Sequence, residues 1–221
     1  MSNIFPAFCT SLIGSMPRSK RLLQLKQQLQ ADPTSKEVYE EALFNETKAV
    51  VEMQLRSGID VPVSGELDRD NFVSYVAEHV AGVELMSMNQ ILDITTDADS
   101  FKESLNQMDA SDNSMSNPIC VGKIDTEAPI DTAENRLMQQ LVDGPYKITI
   151  PSPYILTRSM WLKEVSRQGY ANRKELGADV VKLLIGEVKR LASAGAKVIQ
   201  IDEPILSEVV FTHEGDANSF Y

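Results

Sequence analysis

Carboxylates that close apolar runs are the residues of this chain best placed to do chemistry. The stretch KVIQIDEP, residues 197–204, passes through β-branched and apolar side chains and ends on Asp202 and Glu203 before Pro204. DVPVSGE, residues 60–66, ends in the same way on Glu66. Two further runs close on hydroxyls, FCTSLIGS on Ser15 and YKITIPSP on Ser152 beside Pro153. Paired carboxylates beside a substrate amine supply a charge-assisted clamp. Each residue also has a plainer reading. Asp202 could cap a following helix, Glu66 could be a loop residue after Gly65, and Ser15 a turn residue. The functional reading gains weight because all four ends should meet in space.

What would bring them together is the order of the elements. SKRLLQLKQQLQ, residues 19–30, carries Leu22, Leu25 and Leu29 at helical spacing. A longer helix starts at Thr34, with Glu37 at capping-box spacing, and stops at Gly58. Residues 70–83, DNFVSYVAEHVAGV, read as another amphipathic helix, and residues 174–195 as a helix of about six turns closed by Gly195. Strands are expected at 8–15, 60–66, 117–124, 146–153 and 197–204. The polar stretch 95–117 reads as a surface excursion. Strands that alternate with helices pair in parallel through right-handed crossovers, and fully apolar strands imply helices covering the sheet. In a parallel barrel the C-terminal strand ends converge on one rim, where catalytic groups gather. The expected fold class is therefore α/β, a TIM (β/α)8-type barrel, in a single domain over residues 1–221. Such a barrel takes about 250 residues and eight strands. With five strands, the barrel reads as truncated, or as completed by self-association or a partner chain.

The totals narrow the partners. With 21 basic and 32 acidic residues the formal charge is -11, and no Lys/Arg-rich block stands out. Nucleic acid and an anionic membrane surface are unsuited to such a chain. No apolar run approaches the ~18 residues of a membrane span, and the first residues lack a basic segment before their apolar stretch. Cys9 and Cys120 lie far apart without CxxC spacing, which suits two buried thiols in a reducing cytoplasm.

The segments SLIGSMPR, VSGELDRDNFVSYVAEHVAG and AGAKVIQIDEP, in this order, resemble the catalytic barrel of cobalamin-independent methionine synthases. The similarity runs from about residue 8 to residue 208, and its most specific parts are the IDEP strand and the GELDR segment. The resemblance implies methyl transfer from a methyltetrahydrofolate to the thiol of homocysteine, with zinc holding that thiol. A thiol titrating near pH ~8.5 is mostly protonated at neutral pH, and zinc lowers its pKa so that the thiolate dominates. By resemblance, Ile13, Gly14 and Ser15 match the segment that contacts the amino acid's carboxylate. Glu66 and Asp202 match the acids that hold its α-amino group, and Glu208 an acid that contacts the folate pterin.

The sequence also departs from this pattern. The family's zinc set begins with His-x-Cys, whereas His213 is followed two residues on by Gly215 and His79 lies in a helical pattern. No metal ligand is assigned within these 221 residues. Ser159 stands at the register of the family's folate-stacking tryptophan, with Trp161 two positions on, and the Arg-Cys pair before the third strand has no counterpart. A different methyl donor therefore stays open, as in corrinoid-dependent methyl transfer on the same fold. So does a non-catalytic amino-acid-binding or assembly module.

Overall fold

A computed structural model of the chain describes residues 5–71, 73–95, 116–130 and 133–205. Glu208, His213 and most of the polar stretch 95–117 lie outside the described residues. The chain divides into two compact units. The first comprises Met1–Arg69, Asp131–Thr149 and Val188–Gln200, and the second Asp70–Ile130, Ile150–Glu187 and Ile201–Tyr221.

In the first unit, helix α1 (Lys20–Ala31) begins where the Ser19 hydroxyl accepts the Leu22 N–H at 3.0 Å. A hydroxyl there satisfies one of the four amides that an α-helix leaves open. Leu22 is buried at 1% exposure, and with Tyr39, Ala42, Leu43 and Leu67 it forms a core on which Leu25 and Leu29 pack. Fully burying one such leucine is worth roughly 1.5–3 kcal/mol. Helix α2 (Lys36–Arg56) follows a short 3-10 turn, Pro33–Ser35. The expected capping box at Thr34 does not form. Asp32 takes that position, its carboxylate accepting the Thr34 N–H at 3.0 Å, because Pro33 starts the turn one residue earlier. Gly58, at φ +80°, ends the helix as expected.

Segments 8–15 and 60–66 contribute parallel pairing only at Ser11–Val61 and Val63–Lys147. Strands β3 (Lys147–Pro151) and β4 (Val198–Asp202) are neighbours in one sheet. All five residues of β3 are buried, whereas β4, expected to be buried, is mostly half-buried, with Ile201 53% exposed.

The second unit differs from expectation. Residues 70–83 do not form one amphipathic helix. A 3-10 turn, Ser74–Glu78, leads through Gly82 into strand β1 (Val83–Ser87). Gly82 adopts φ +86°, and a β-carbon there would stand 2.3 Å from the Lys123 carbonyl oxygen. It is a turn between elements rather than a helix stop. Strand β2 (Ser116–Cys120), in the segment expected to continue the parallel series, pairs antiparallel with β1, Val83 opposite Cys120. Helix α3 (Met88–Ile94) follows β1 and opens on a capping box made by Ser87 and Gln90.

Helices α4 (Ala133–Leu141), α5 (Pro153–Met160), α6 (Lys163–Ser166) and α7 (Arg173–Ser193) complete the described elements. Ile91, Ile119, Leu162 and Val165 form the core between α3, β2 and the α6 turn. Both cysteines are free thiols. Cys120 is buried, as expected, but Cys9 is exposed, contrary to expectation. It precedes the first bridged residue, Ser11, so no strand carries it into a core.

Candidate site in the first unit

The turn after Val63 places an acid in an unusual backbone state. Gly65 and Glu66 follow one another at φ +85° and +54°. A left-handed backbone is free for glycine, but for a glutamate it costs on the order of 1–3 kcal/mol and persists only where its surroundings enforce it. The other non-glycine residue at positive φ among those described, Phe8, is 99% exposed, whereas Glu66 is 8% exposed.

The surroundings that enforce it are polar and buried. The Glu66 N–H donates to the Ser64 hydroxyl at 3.0 Å. Its carboxylate accepts the Thr149 hydroxyl at 2.5 Å and lies 3.7 Å from the Arg69 guanidinium. Arg69, itself 5% exposed, donates to the Thr149 hydroxyl at 3.0 Å, to the Thr149 carbonyl at 2.7 Å and to Glu134 at 2.7 Å. Glu134, in the first turn of α4, also accepts the Ser64 hydroxyl. Arg18 closes the far side of the turn, donating to the carbonyls of Glu66 at 2.8 Å, of Leu67 at 3.0 Å and of Arg69. Buried ions are tolerated only with this density of partners.

Gly14 packs directly on that carboxylate. A β-carbon at position 14 would stand 2.3 Å from Glu66 Oε1 and 3.4 Å from Thr149 Cγ2. The segment before it is held by its backbone: buried Lys147 donates to the Leu12 carbonyl and, at 2.5 Å, to Gln200, which in turn donates to the Ile13 carbonyl at 3.0 Å. The Ile13 side chain is 83% exposed and Ser15 is exposed. The first unit therefore brings Gly14, the Ile13 backbone and Glu66 into one place.

Asp202 belongs to the second unit. At that strand end its carbonyl accepts the Ser152 N–H at 2.9 Å. Its neighbour Glu203 works locally, accepting the Ser152 hydroxyl and, at 3.2 Å, the Ile155 N–H. Ser152 is the N-cap of α5, so Ser152 and Glu203 together satisfy the open amides of that helix. Of the two adjacent carboxylates of IDEP, Glu203 is thus a cap.

Ser159, at 6% exposure, turns inward and donates to the Ile155 carbonyl at 2.8 Å, and Trp161 is the half-buried C-cap of α5. His79 is exposed, with Nδ1 2.9 Å from the Tyr75 carbonyl. Burial pushes the Cys120 thiol above its usual range, which makes it a poor nucleophile.

Sequence reasoning missed Arg69, Glu134, Thr149, Ser64, Lys147 and Gln200. Lys147 and Thr149 carried a signal, since both are polar residues inside an otherwise apolar run. Glu134 carried none, because a glutamate in the first turn of a helix is ordinary.

The profile of the family described as "Cobalamin-independent synthase, Catalytic domain" matches residues 8–221. A methionine synthase of Saccharolobus solfataricus is 30% identical over 202 residues, covering 91% of this chain and 54% of that protein. A 5-methyltetrahydropteroyltriglutamate–homocysteine methyltransferase of Thermotoga sp. strain RQ2 is 26% identical, over 92% of this chain and 25% of that protein. Among solved structures, a putative B12-independent methionine synthase of Listeria monocytogenes superposes with a TM-score of 0.64 at 17% identity, covering 96% of this chain and 57% of that one. The B12-independent enzyme of Shewanella sp. W3-18-1, solved with selenomethionine, gives 0.55 at 22% identity, over 76% of this chain and 43% of that one. These two likenesses speak to the fold. The chain spans about half the length of the methionine synthases it matches. A profile match over nearly the whole chain, agreeing with the strand-end motifs and with the fold, means that this chain belongs to the cobalamin-independent synthase catalytic-domain family.

Proposed function

We propose that this chain holds homocysteine by its amino-acid end and belongs to a domain that transfers a methyl group to the homocysteine thiol. The observation that carries the reading is Glu66, a buried carboxylate on a left-handed backbone, pressed against Gly14. Strain kept at a buried, fully braced acid is the usual mark of a functional position. In this reading Glu66 accepts hydrogen bonds from the substrate's α-ammonium. The Ile13–Gly14 backbone and the Ser15 hydroxyl receive the carboxylate. The selenomethionine of the Shewanella structure is an amino acid of the same kind as the proposed product.

In the family, zinc supplies the thiolate. Among the described residues no group of three or more His, Cys, Asp or Glu could hold a metal ion. The described residues therefore do not fit zinc, and thiol activation is not assigned to them. Methyltetrahydrofolate is the proposed methyl donor, with Glu208 as its pterin contact. A (β/α)8-type barrel is the proposed architecture and the cytoplasm the proposed location. No helix among the described residues is long and apolar enough to cross a membrane.

Titration calorimetry with homocysteine and with 4-mercaptobutyrate, which lacks the α-amino group, tests the reading. The chain is expected to bind homocysteine and to discriminate against the deaminated analogue. Equal affinity for the two, or none for either, would overturn it. Homocysteine binding without methyl transfer from methyltetrahydrofolate would favour an amino-acid-binding module.

A further inference from the structure

The contacts around Glu66 say more than that it is buried. Its carboxylate makes one short hydrogen bond, to Thr149, and that hydroxyl is also bonded by Arg69. Arg69 donates to the Thr149 carbonyl as well, so one guanidinium grips a β3 residue through both its backbone and its side chain. The opposite side of Arg69 is tied to Glu134, and Glu134 to Ser64, whose hydroxyl accepts the Glu66 N–H. The chain of contacts is closed: Glu66, Thr149, Arg69, Glu134, Ser64 and back to Glu66. Arg69 and Glu66 are each below a tenth exposed, so water does not compete for these bonds.

Resting on the functional reading above, we propose that Arg69, braced by Glu134, is the positioning residue that aims the Glu66 carboxylate at the substrate's ammonium. Arg69 lies 3.7 Å from Glu66 Oε1 and fixes the Thr149 hydroxyl that donates to that same oxygen. Its planar fork allows simultaneous bonds to the Thr149 carbonyl, the Thr149 hydroxyl and Glu134, which the point charge of a lysine does not reproduce. Arg69 itself needs no contact with substrate. It acts through Glu66, and Glu134 acts through Arg69.

A double-mutant cycle on homocysteine affinity, using Arg69→Lys, Glu66→Gln and the two combined, separates this role from general stability. Glu66→Gln should weaken binding by ~10- to 100-fold, the worth of a hydrogen bond to a charged group. Arg69→Lys should weaken it roughly tenfold. The combined variant should bind no more weakly than Glu66→Gln alone, since a positioning residue has no effect once its target is gone. Losses that multiply, or an equal loss for 4-mercaptobutyrate, would overturn the proposal. Glu134→Gln keeps the shape of the brace and should give a smaller loss of the same pattern, which serves if Arg69→Lys fails to fold. Crystal structures of the wild-type and variant chains read the same claim without ligand. Glu66 should swing away from Gly14 in Arg69→Lys or Glu134→Gln, and an unmoved carboxylate in both would contradict the proposal. If the wild-type chain binds no homocysteine yet Glu66 swings, the functional reading fails while the positioning role stands.

Discussion

Glu66 is held in an unfavourable backbone state by buried partners, as its proposed contact with substrate would require. The left-handed backbone turns its carboxylate onto the Gly14 segment, where a side chain of any size would collide with it. Gly14→Ala is therefore expected to displace Glu66, abolish homocysteine binding and lower the melting temperature, because the displaced carboxylate leaves its buried bonds to Thr149 and Arg69. Calorimetry beside a melting curve checks this, and intact affinity in the variant would count against it. At the other strand end Glu203 serves the start of a helix. Glu203→Ala removes an acceptor from the start of α5 and should cost ~1 kcal/mol in urea unfolding.

At the scale of elements, helices α1, α2 and α7 were legible in the sequence because their apolar spacing is long and ends on unambiguous stops, Gly58 and Gly195 among them. The segment 70–83 was not, because Tyr75, Val76, Val80 and Val83 satisfy a helical spacing while Gly82 turns the chain. Tertiary contact decided it: Gly82 must pass beside the Lys123 carbonyl, which only a glycine at φ +86° allows. Gly82→Ala should accordingly destabilise the protein by on the order of 1–3 kcal/mol. Gly144→Ala, where an added β-carbon meets nothing within 4 Å, should be close to neutral. Urea midpoints compare the two, and equal shifts would refute the account of the turn. The candidate site was half legible for a similar reason. A strand-end motif marks Glu66, and Ser64 and Arg69 lie beside it in the chain, but Thr149 and Glu134 come from β3 and α4, and only folding brings them to it.

For the molecule as a whole, alkaline stability has an identifiable source in Tyr170. Its ring is 1% exposed, with Lys123 Nζ 4.0 Å above it. The hydroxyl accepts the Ile124 N–H at 3.1 Å and donates to Asp179 at 3.0 Å. Burial, chiefly, pushes the phenol from 10.0 up to about 12. The folded state thus favours the proton-bound phenol, so this stabilisation is fully present below pH 10 and is lost as pH rises from about 10 to about 12. Tyr170→Phe should remove that limb from the pH dependence of urea unfolding, while costing stability at neutral pH by leaving the Ile124 N–H without its acceptor. A limb of equal size in the variant would place its origin elsewhere. Across the same molecule, a formal charge of -11 without a basic cluster is ill-suited to a polyanion and compatible with the proposed small zwitterionic substrate. The account rests on where that substrate's ammonium sits. The most direct test is a crystal structure of the chain soaked or grown with homocysteine. The account predicts the α-amino nitrogen within hydrogen-bond distance of the Glu66 carboxylate, with the amino acid's carboxylate on the Ile13–Gly14 segment. Homocysteine bound with its amine turned away from Glu66 would contradict it.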